Sequence, residues 1–255
     1  MCLILAAWRC RADCPLVFAA NRDEFHARPT ARAAWWEDPP GILAGRDLVG
    51  GGTWFGVDRG GRWAAVTNIR NPAARHANGR SRGLLVRDYL AGAESPLAYL
   101  RRVAARANAY APFNLLVGDP RTLAYFGRGN GPPRILPPGL YGLSNAALDT
   151  PWPKVEGGKR ALAELLEQGC PAADDLYGLL ADRTPAAEER LPDTGVGLER
   201  ERLLSPRFIC SAEYGTRSST LLRLDEDGGV RFGERTFAPT GVRRGEVRET
   251  FRVCS

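Results

Sequence analysis

At 255 residues, with 44% hydrophobic and 25% charged side chains, the chain has an ordinary globular composition and is long enough to bury a sizeable core. Its formal net charge of +6 is scattered rather than gathered into a Lys/Arg block, so nucleic acid is not an expected partner, while a small anionic ligand is compatible with the charge. The apolar run from Cys2 to Trp8 is too short to span a bilayer and follows no basic residues, so neither a signal peptide nor integral membrane association is expected.

The first two elements are "CLILAAW" and "LVFAANR", two buried-type strands around the charged, Pro-containing "RCRADCP", the pattern of a hairpin. "GRDLVGGGTWFGVDRGGRWAAVTN" predicts two more strands, "TWFGVD" and "RWAAVTN", turning at Gly60-Gly61. Two helices follow, in "SRGLLVRDYLAG" and in "SPLAYLRRVAARANAY", the second with Ser95 as N-cap and Pro96 in the first helical position. "FNLLVGD", "TLAYFG" and "GLYGLSNA" return to strands. "PWPKVEGGKRALAELLEQG" and "AADDLYGLLADR" predict helices, and "LPDTGVGLERERLLSPR" a surface loop. The last third, "GTRSSTLLRLDEDGGVRFGERTF" and "GEVRETFRV", alternates polar and apolar residues around Asp-Gly-Gly, as a hairpin and a further strand do. No linker and no repeat divides the chain. The order predicts one α+β domain over residues 1–255, with two antiparallel sheets between helical layers.

The six cysteines form no CxxC, and no His/Cys cluster has zinc-ligand spacing. Reduced thiols in a cytoplasmic protein are the expectation. The two histidines, His26 and His76, fall in different loops, which argues against a His-based triad and against a protein-only metal site. Each is a loop histidine by position and also a candidate axial ligand for haem.

Cys2 admits two readings. It is a small apolar residue opening a buried strand, or, once Met1 is removed, it carries a thiol and an α-amine on one residue. An α-amine titrates near 7.7–8.0 and can act as general base for its own thiol. "NRDE" at 21–24 ends the second strand of the predicted hairpin, so pairing brings Asn21 to Asp23 near Cys2. Asp23 is placed to orient the amine, and Arg22 to hold a substrate carboxylate or favour the thiolate. "GRDLVGGGTWFG" lacks a following Lys-Ser/Thr and enters a strand rather than a helix, so its glycines predict a tight turn beside a pocket, not a phosphate loop. Asn68, Asn145 and Arg217 are single polar residues at the ends of strand-like segments.

Cys2, "NRDE" at 21–24, "GRD…GGTWFGV" at 45–57, "TN" at 67–68, "LSNA…PWPK" at 143–154 and "GTRSST" at 215–220 together resemble the NRDE, or transport and Golgi organisation protein 2, family, in consistent order from the first residues past position 220. That family looks similar to N-terminal-nucleophile (Ntn) hydrolases of the penicillin V acylase, bile salt hydrolase and acid ceramidase kind. The resemblance implies a four-layer αββα sandwich. It implies Cys2 as nucleophile, Asp23 as the amine-orienting carboxylate, Asn68 and Asn145 as oxyanion or substrate donors, and Arg217 as a supporting residue. Asn21, Arg22, Thr53 and Trp54 become candidate substrate contacts. With Asp23 aligned to the acylases' Asp, Asn21 matches their Asn, whereas their Arg slot holds Ala20 and Arg22 occupies their variable position. The family is also associated with haem mobilisation and lipid homeostasis.

Two functions follow as expectations. The first is a hydrolase acting on a linear amide or related acyl bond, with no required cofactor. The second is a haem or lipid carrier using the same pocket, with Trp35, Trp36 and Trp54 facing the ligand, arginines meeting propionates, and His26, His76 or Cys2 touching iron.

Overall fold

The structure is a computed structural model describing residues 2–70 and 79–253. Strand β1 (Cys2–Trp8) turns into β2 (Leu16–Phe25), and the two pair antiparallel from Cys2 opposite Arg22 to Trp8 opposite Leu16. Every residue of β1 is buried, because both faces of its sheet are covered. Ile4, Ala6 and Trp8 point into the space between two sheets, while Leu3, Leu5 and Ala7 point towards helices. The continuous apolar run of the sequence is therefore two alternating faces, each with its own core.

The first sheet has strand order β10-β1-β2-β11-β12-β13, with β10 (Gly139–Leu143), β11 (Tyr214–Leu224), β12 (Gly229–Phe237) and β13 (Arg243–Arg252). The second runs β3 to β9 in chain order: β3 (Thr30–Glu37), β4 (Pro40–Asp47), β5 (Phe55–Asp58), β6 (Trp63–Asn68), β7 (Phe113–Gly118), β8 (Leu123–Gly127) and β9 (Arg134–Ile135). All pairings are antiparallel. Helices α1 (Gly83–Leu90) and α2 (Pro96–Ala104) cover the outer face of the second sheet through Leu85, Val86, Tyr99 and Leu100. Helices α3 (Pro153–Glu167) and α4 (Ala173–Leu180) cover the first through Val155, Leu162, Leu176 and Leu180. The layers are α, β, β, α, as expected.

Some expectations need correction. Ser95 stands at the N-cap of α2 in an extended conformation, but its side chain makes no capping hydrogen bond. Strands β3 and β4 were not expected. β3 is an edge strand that mixes small, charged and tryptophan residues, with two register irregularities against β4, so its period-2 signal drifts. The expected loop at 191–207 contains a helix, α5 (Leu198–Leu204), whose buried residues are Glu201 and Leu204. A buried glutamate breaks the apolar stripe by which a helix is recognised, and α5 is tied down by charge instead.

Phe18 of β2 stacks on Phe55 of β5 at 4.4 Å and meets Trp63 of β6 at 5.4 Å, joining the sheets near their centre. Replacing Phe18 with Ala is expected to cost about 3–5 kcal/mol, measured by urea unfolding. A loss below about 1 kcal/mol would mean that the inter-sheet core is not organised around this stack.

Candidate active site

Cys2 shares the face of Ile4 and lies where the inter-sheet core ends and a cavity of about 740 Å³ begins. β10 pairs with β1 only from Ile4 onward, and the Ser144 hydroxyl, just past β10, donates to the Cys2 carbonyl at 3.0 Å. The cavity wall includes Cys2, Arg22, Asp23, Thr53, Trp54, Asn68 and Arg217. The hairpin register thus brings together residues that the sequence holds twenty and more positions apart.

Arg22 and Ala20 lie two residues apart on one face of β2. Ala20 faces Ile4 across the hairpin and is sealed in the inter-sheet core, whereas Arg22 faces Cys2 and lines the cavity. An arginine at position 20 would be buried among apolar side chains. Moving it by two keeps the face and advances it about 6.8 Å along the strand to the open end.

Asp23 is buried on β2, and its Oδ1 accepts from the Thr216 hydroxyl at 2.7 Å. The Tyr214 hydroxyl donates to the Asp23 carbonyl at 2.9 Å. Opposite, β11 carries a bulge: Thr216 faces Asp23 and Ser218 faces Arg22, leaving Arg217 as the extra residue. Arg217 donates to the carbonyls of Phe25 at 2.8 Å and Arg28 at 3.1 Å and to the Thr30 hydroxyl at 3.2 Å, clamping the turn after β2.

Lys154, in the first turn of α3, carries no motif signal of its own in the sequence. It is buried and donates from Nζ to the Leu204 carbonyl at 2.9 Å. A cation in the first turn of a helix opposes the helix dipole, so local preference does not explain it. Burial pulls the Lys154 ammonium down to about 8, and the nearby Asp23 charge works against that fall. Burial likewise raises the Asp23 carboxyl, with Lys154 the strongest opposing influence. Burial also raises the Cys2 thiol; the Asp23 charge adds to this, and Arg22 and the Asp23 main-chain N–H favour the thiolate. Beyond Lys154, Arg70 and Glu201 form a buried ion pair, and Arg70 lies over the Trp152 ring at 4.7 Å. The Glu201 carboxylate also accepts from the Thr194 N–H at 3.0 Å. The one signal for Lys154 in the sequence is that it is one of only two lysines, Lys154 and Lys159, in an arginine-rich chain.

Other candidates fall less close to the thiol. Asn68 lines the cavity, and its carbonyl accepts from Asn145 Nδ2 at 2.8 Å. Asn145 is buried behind it and is not on the cavity wall. Asn21 points to the helix side, where its amide donates to the carbonyls of Leu180 and Arg207 and its oxygen accepts from Ser219 at 2.6 Å. The structure therefore places Asn21 away from the cavity. The Thr53 hydroxyl donates to the Phe55 carbonyl at 2.8 Å, closing the turn into β5. In that turn Gly51 has φ +71°, and a side chain on Gly52 would meet the Gly83 carbonyl carbon at 2.3 Å. Trp35 and Trp36 face away, donating to Glu249 at 3.3 Å and to the Ala44 carbonyl at 2.9 Å. His26 Nε2 lies 3.0 Å from the Ser211 carbonyl, and His26 does not line the cavity. His76 lies outside the described residues.

The profile of the Transport and Golgi organisation 2 family matches residues 1–239. The chain belongs to that family. It is 38% identical over 258 residues to the Transport and Golgi organization protein 2 homolog of Bos taurus, covering 94% of this chain and 93% of that protein. The Homo sapiens homolog is 36% identical over 250 residues, covering 91% and 90%. Transport and Golgi organization protein 2 of Drosophila melanogaster is 28% identical over 254 residues, covering 87% and 86%. Among solved structures, the chain is similar to the Caenorhabditis elegans N-acylethanolamine-hydrolyzing acid amidase ortholog, with TM-score 0.46 and 11% identity over 86% of this chain and 92% of that one. It is also similar to the C2A mutant of the conjugated bile acid hydrolase from Clostridium perfringens, with TM-score 0.43 and 11% identity over 91% and 88%. Among the described residues no helix is long and apolar enough to cross a membrane.

The buried ion pair behind the site gives a direct test. Arg70→Met leaves the Glu201 carboxylate without its ion partner and is expected to cost about 3–5 kcal/mol in urea unfolding. The double variant Arg70→Met/Glu201→Gln should regain part of that loss. A loss in Arg70→Met below about 1 kcal/mol would show that the pair does not anchor α5.

Proposed function

We propose that Met1 is removed and that Cys2 is the nucleophile of a hydrolase acting on an amide or related acyl bond. The observation behind this reading is the convergence of Cys2, Arg22, Asp23, Asn68 and Arg217 on one cavity of about 740 Å³. That volume suits a small-molecule substrate.

In this reading the freed α-amine of Cys2 takes the thiol proton, and the thiolate attacks the substrate carbonyl. Burial keeps the thiol protonated at neutral pH, so an adjacent base is required. Asp23 orients the amine, and the Lys154 charge opposes the rise that burial gives the Asp23 carboxyl. Asn68 is the side chain placed to meet the oxyanion, and Asn145 positions it through the Asn68 carbonyl. A single donor of this kind is typically worth about 2.7–4 kcal/mol in the transition state. The protonated amine then gives its proton to the leaving group. Water attacks the thioester, the sulfur departs as thiolate, and the free acid is released. Arg217 is a positioning residue that fixes the turn after β2. A thiol nucleophile suits a reducing compartment, and we place the protein in the cytoplasm.

A panel of N-acyl compounds incubated with the wild-type protein and with Cys2→Ala tests the reading. Release of amine by the first and not the second is expected; equal release would overturn it. The rate should rise with pH through the range of an α-amine, about 7.7–8.0, as the base loses its proton. Asp23→Asn should lower kcat by 10²-fold or more while the protein still folds, on the order expected for a disabled general base. A full rate in Asp23→Asn would contradict the role given to that carboxylate.

A further inference from the structure

Among the described residues, eight arginines line the cavity, Arg22, Arg28, Arg32, Arg46, Arg80, Arg82, Arg217 and Arg244, against four carboxylates, Asp23, Glu24, Asp47 and Glu234, a formal excess of four positive charges. The carboxylates are already engaged. Asp47 holds Arg28 at 2.7 Å, and Glu234 accepts from the Ala33 N–H at 2.7 Å. Glu24 accepts from the Phe25 N–H at 2.9 Å, and Asp23 accepts from Thr216. Several guanidiniums remain without a close carboxylate. Among the described residues, Arg22 has only Glu24 as an ion partner, at 3.8 Å. Among the described residues, Arg82 makes one hydrogen bond, to the Pro112 carbonyl at 3.2 Å, and Arg46 lies over the Trp36 ring at 4.5 Å. Arg32, Arg80 and Arg244 stand exposed at the rim.

We infer that this cavity selects compact acyl compounds carrying a carboxylate or phosphate within a few bonds of the scissile carbonyl, held by Arg22 and Arg82 beside Cys2. The inference rests on the hydrolytic reading for the word scissile, but not for the binding itself.

Three considerations lead there. Gathering guanidiniums in a partly enclosed space is unfavourable until an anion completes the set, and the planar, multi-donor guanidinium is suited to carboxylate and phosphate oxygens. Arg22 sits directly across the hairpin from Cys2, and Cα atoms of such pairs lie about 4.5–5.5 Å apart. An anion on Arg22 is therefore close to the carbonyl under attack, not at a remote tail. Finally, the larger apolar side chains on the wall are few, chiefly Val49, Trp54, Val66 and Phe237, so a long hydrocarbon tail finds little surface to lie on.

The test uses three compounds on one scaffold: N-butanoylglycine, N-butanoyl-O-phosphoethanolamine and the neutral N-butanoylethanolamine. The readout is protection of Cys2 from iodoacetamide, followed by mass spectrometry of the full chain, with amine release recorded in parallel. At least one of the two anions is expected to protect at a concentration tenfold or more below that of the neutral compound, and the stronger one identifies the anion. The advantage should shrink in 0.5 M NaCl. It should fall at least fivefold in Arg82→Gln and in Arg22→Gln. Should either variant fail to fold by circular dichroism, the exposed Arg80→Gln is expected to lose at least twofold. Equal protection by the neutral compound, or an advantage unchanged in every folded variant, overturns the inference. Protection by an anion without amine release would keep this selectivity and refute hydrolysis. Release from the neutral compound alone would do the reverse.

Discussion

The site depends on the register of β1 against β2. With Cys2 opposite Arg22, the even-numbered residues of both strands face the inter-sheet space. A slip of one residue would turn the thiol towards the helices and send Leu3 and Leu5 into the wrong core. That register is held by Ile4, Trp8, Leu16 and Phe18, all buried between the sheets. Stability and chemistry are thus coupled through one hairpin. The apolar face that anchors it ends where the cavity begins.

Behind the hairpin lies a second constraint. Asp23, Lys154, Arg70 and Glu201 place two negative and two positive groups where water is scarce, and such groups persist only in mutual compensation. The cluster links β2 of the first sheet, the segment after β6 of the second, the start of α3 and the short α5. It explains why α5 is a helix without an apolar stripe and why a lysine stands in the first turn of α3.

Much of the architecture was legible from the sequence, because long apolar runs and clear alternation mark β1, β2, β11 and β12, and three- and four-residue spacing marks α1 to α4. Asp23 and Arg22 were legible as neighbours of Cys2 from the hairpin alone. Lys154, Tyr214 and Thr216 were not, since they reach Asp23 from α3 and β11 and only the sheet order brings them there. Asn21 was misplaced for a related reason: it shares the helix-side face with Asp23 but lies two residues deeper in the strand, where the carbonyls of Leu180 and Arg207 hold its amide. Arg22, two residues past the core-facing Ala20, keeps the same face of β2 and stands where the cavity opens.

In the hydrolytic reading proposed above, Cys2 becomes a free-amine nucleophile at the end of this hairpin. Intact mass spectrometry of the purified protein during turnover of an N-acyl compound tests it most directly. The expected result is a chain lacking Met1 with a transient acyl adduct that maps to Cys2 and is absent from Cys2→Ala. A chain that retains Met1 while turning the compound over at full rate would contradict it.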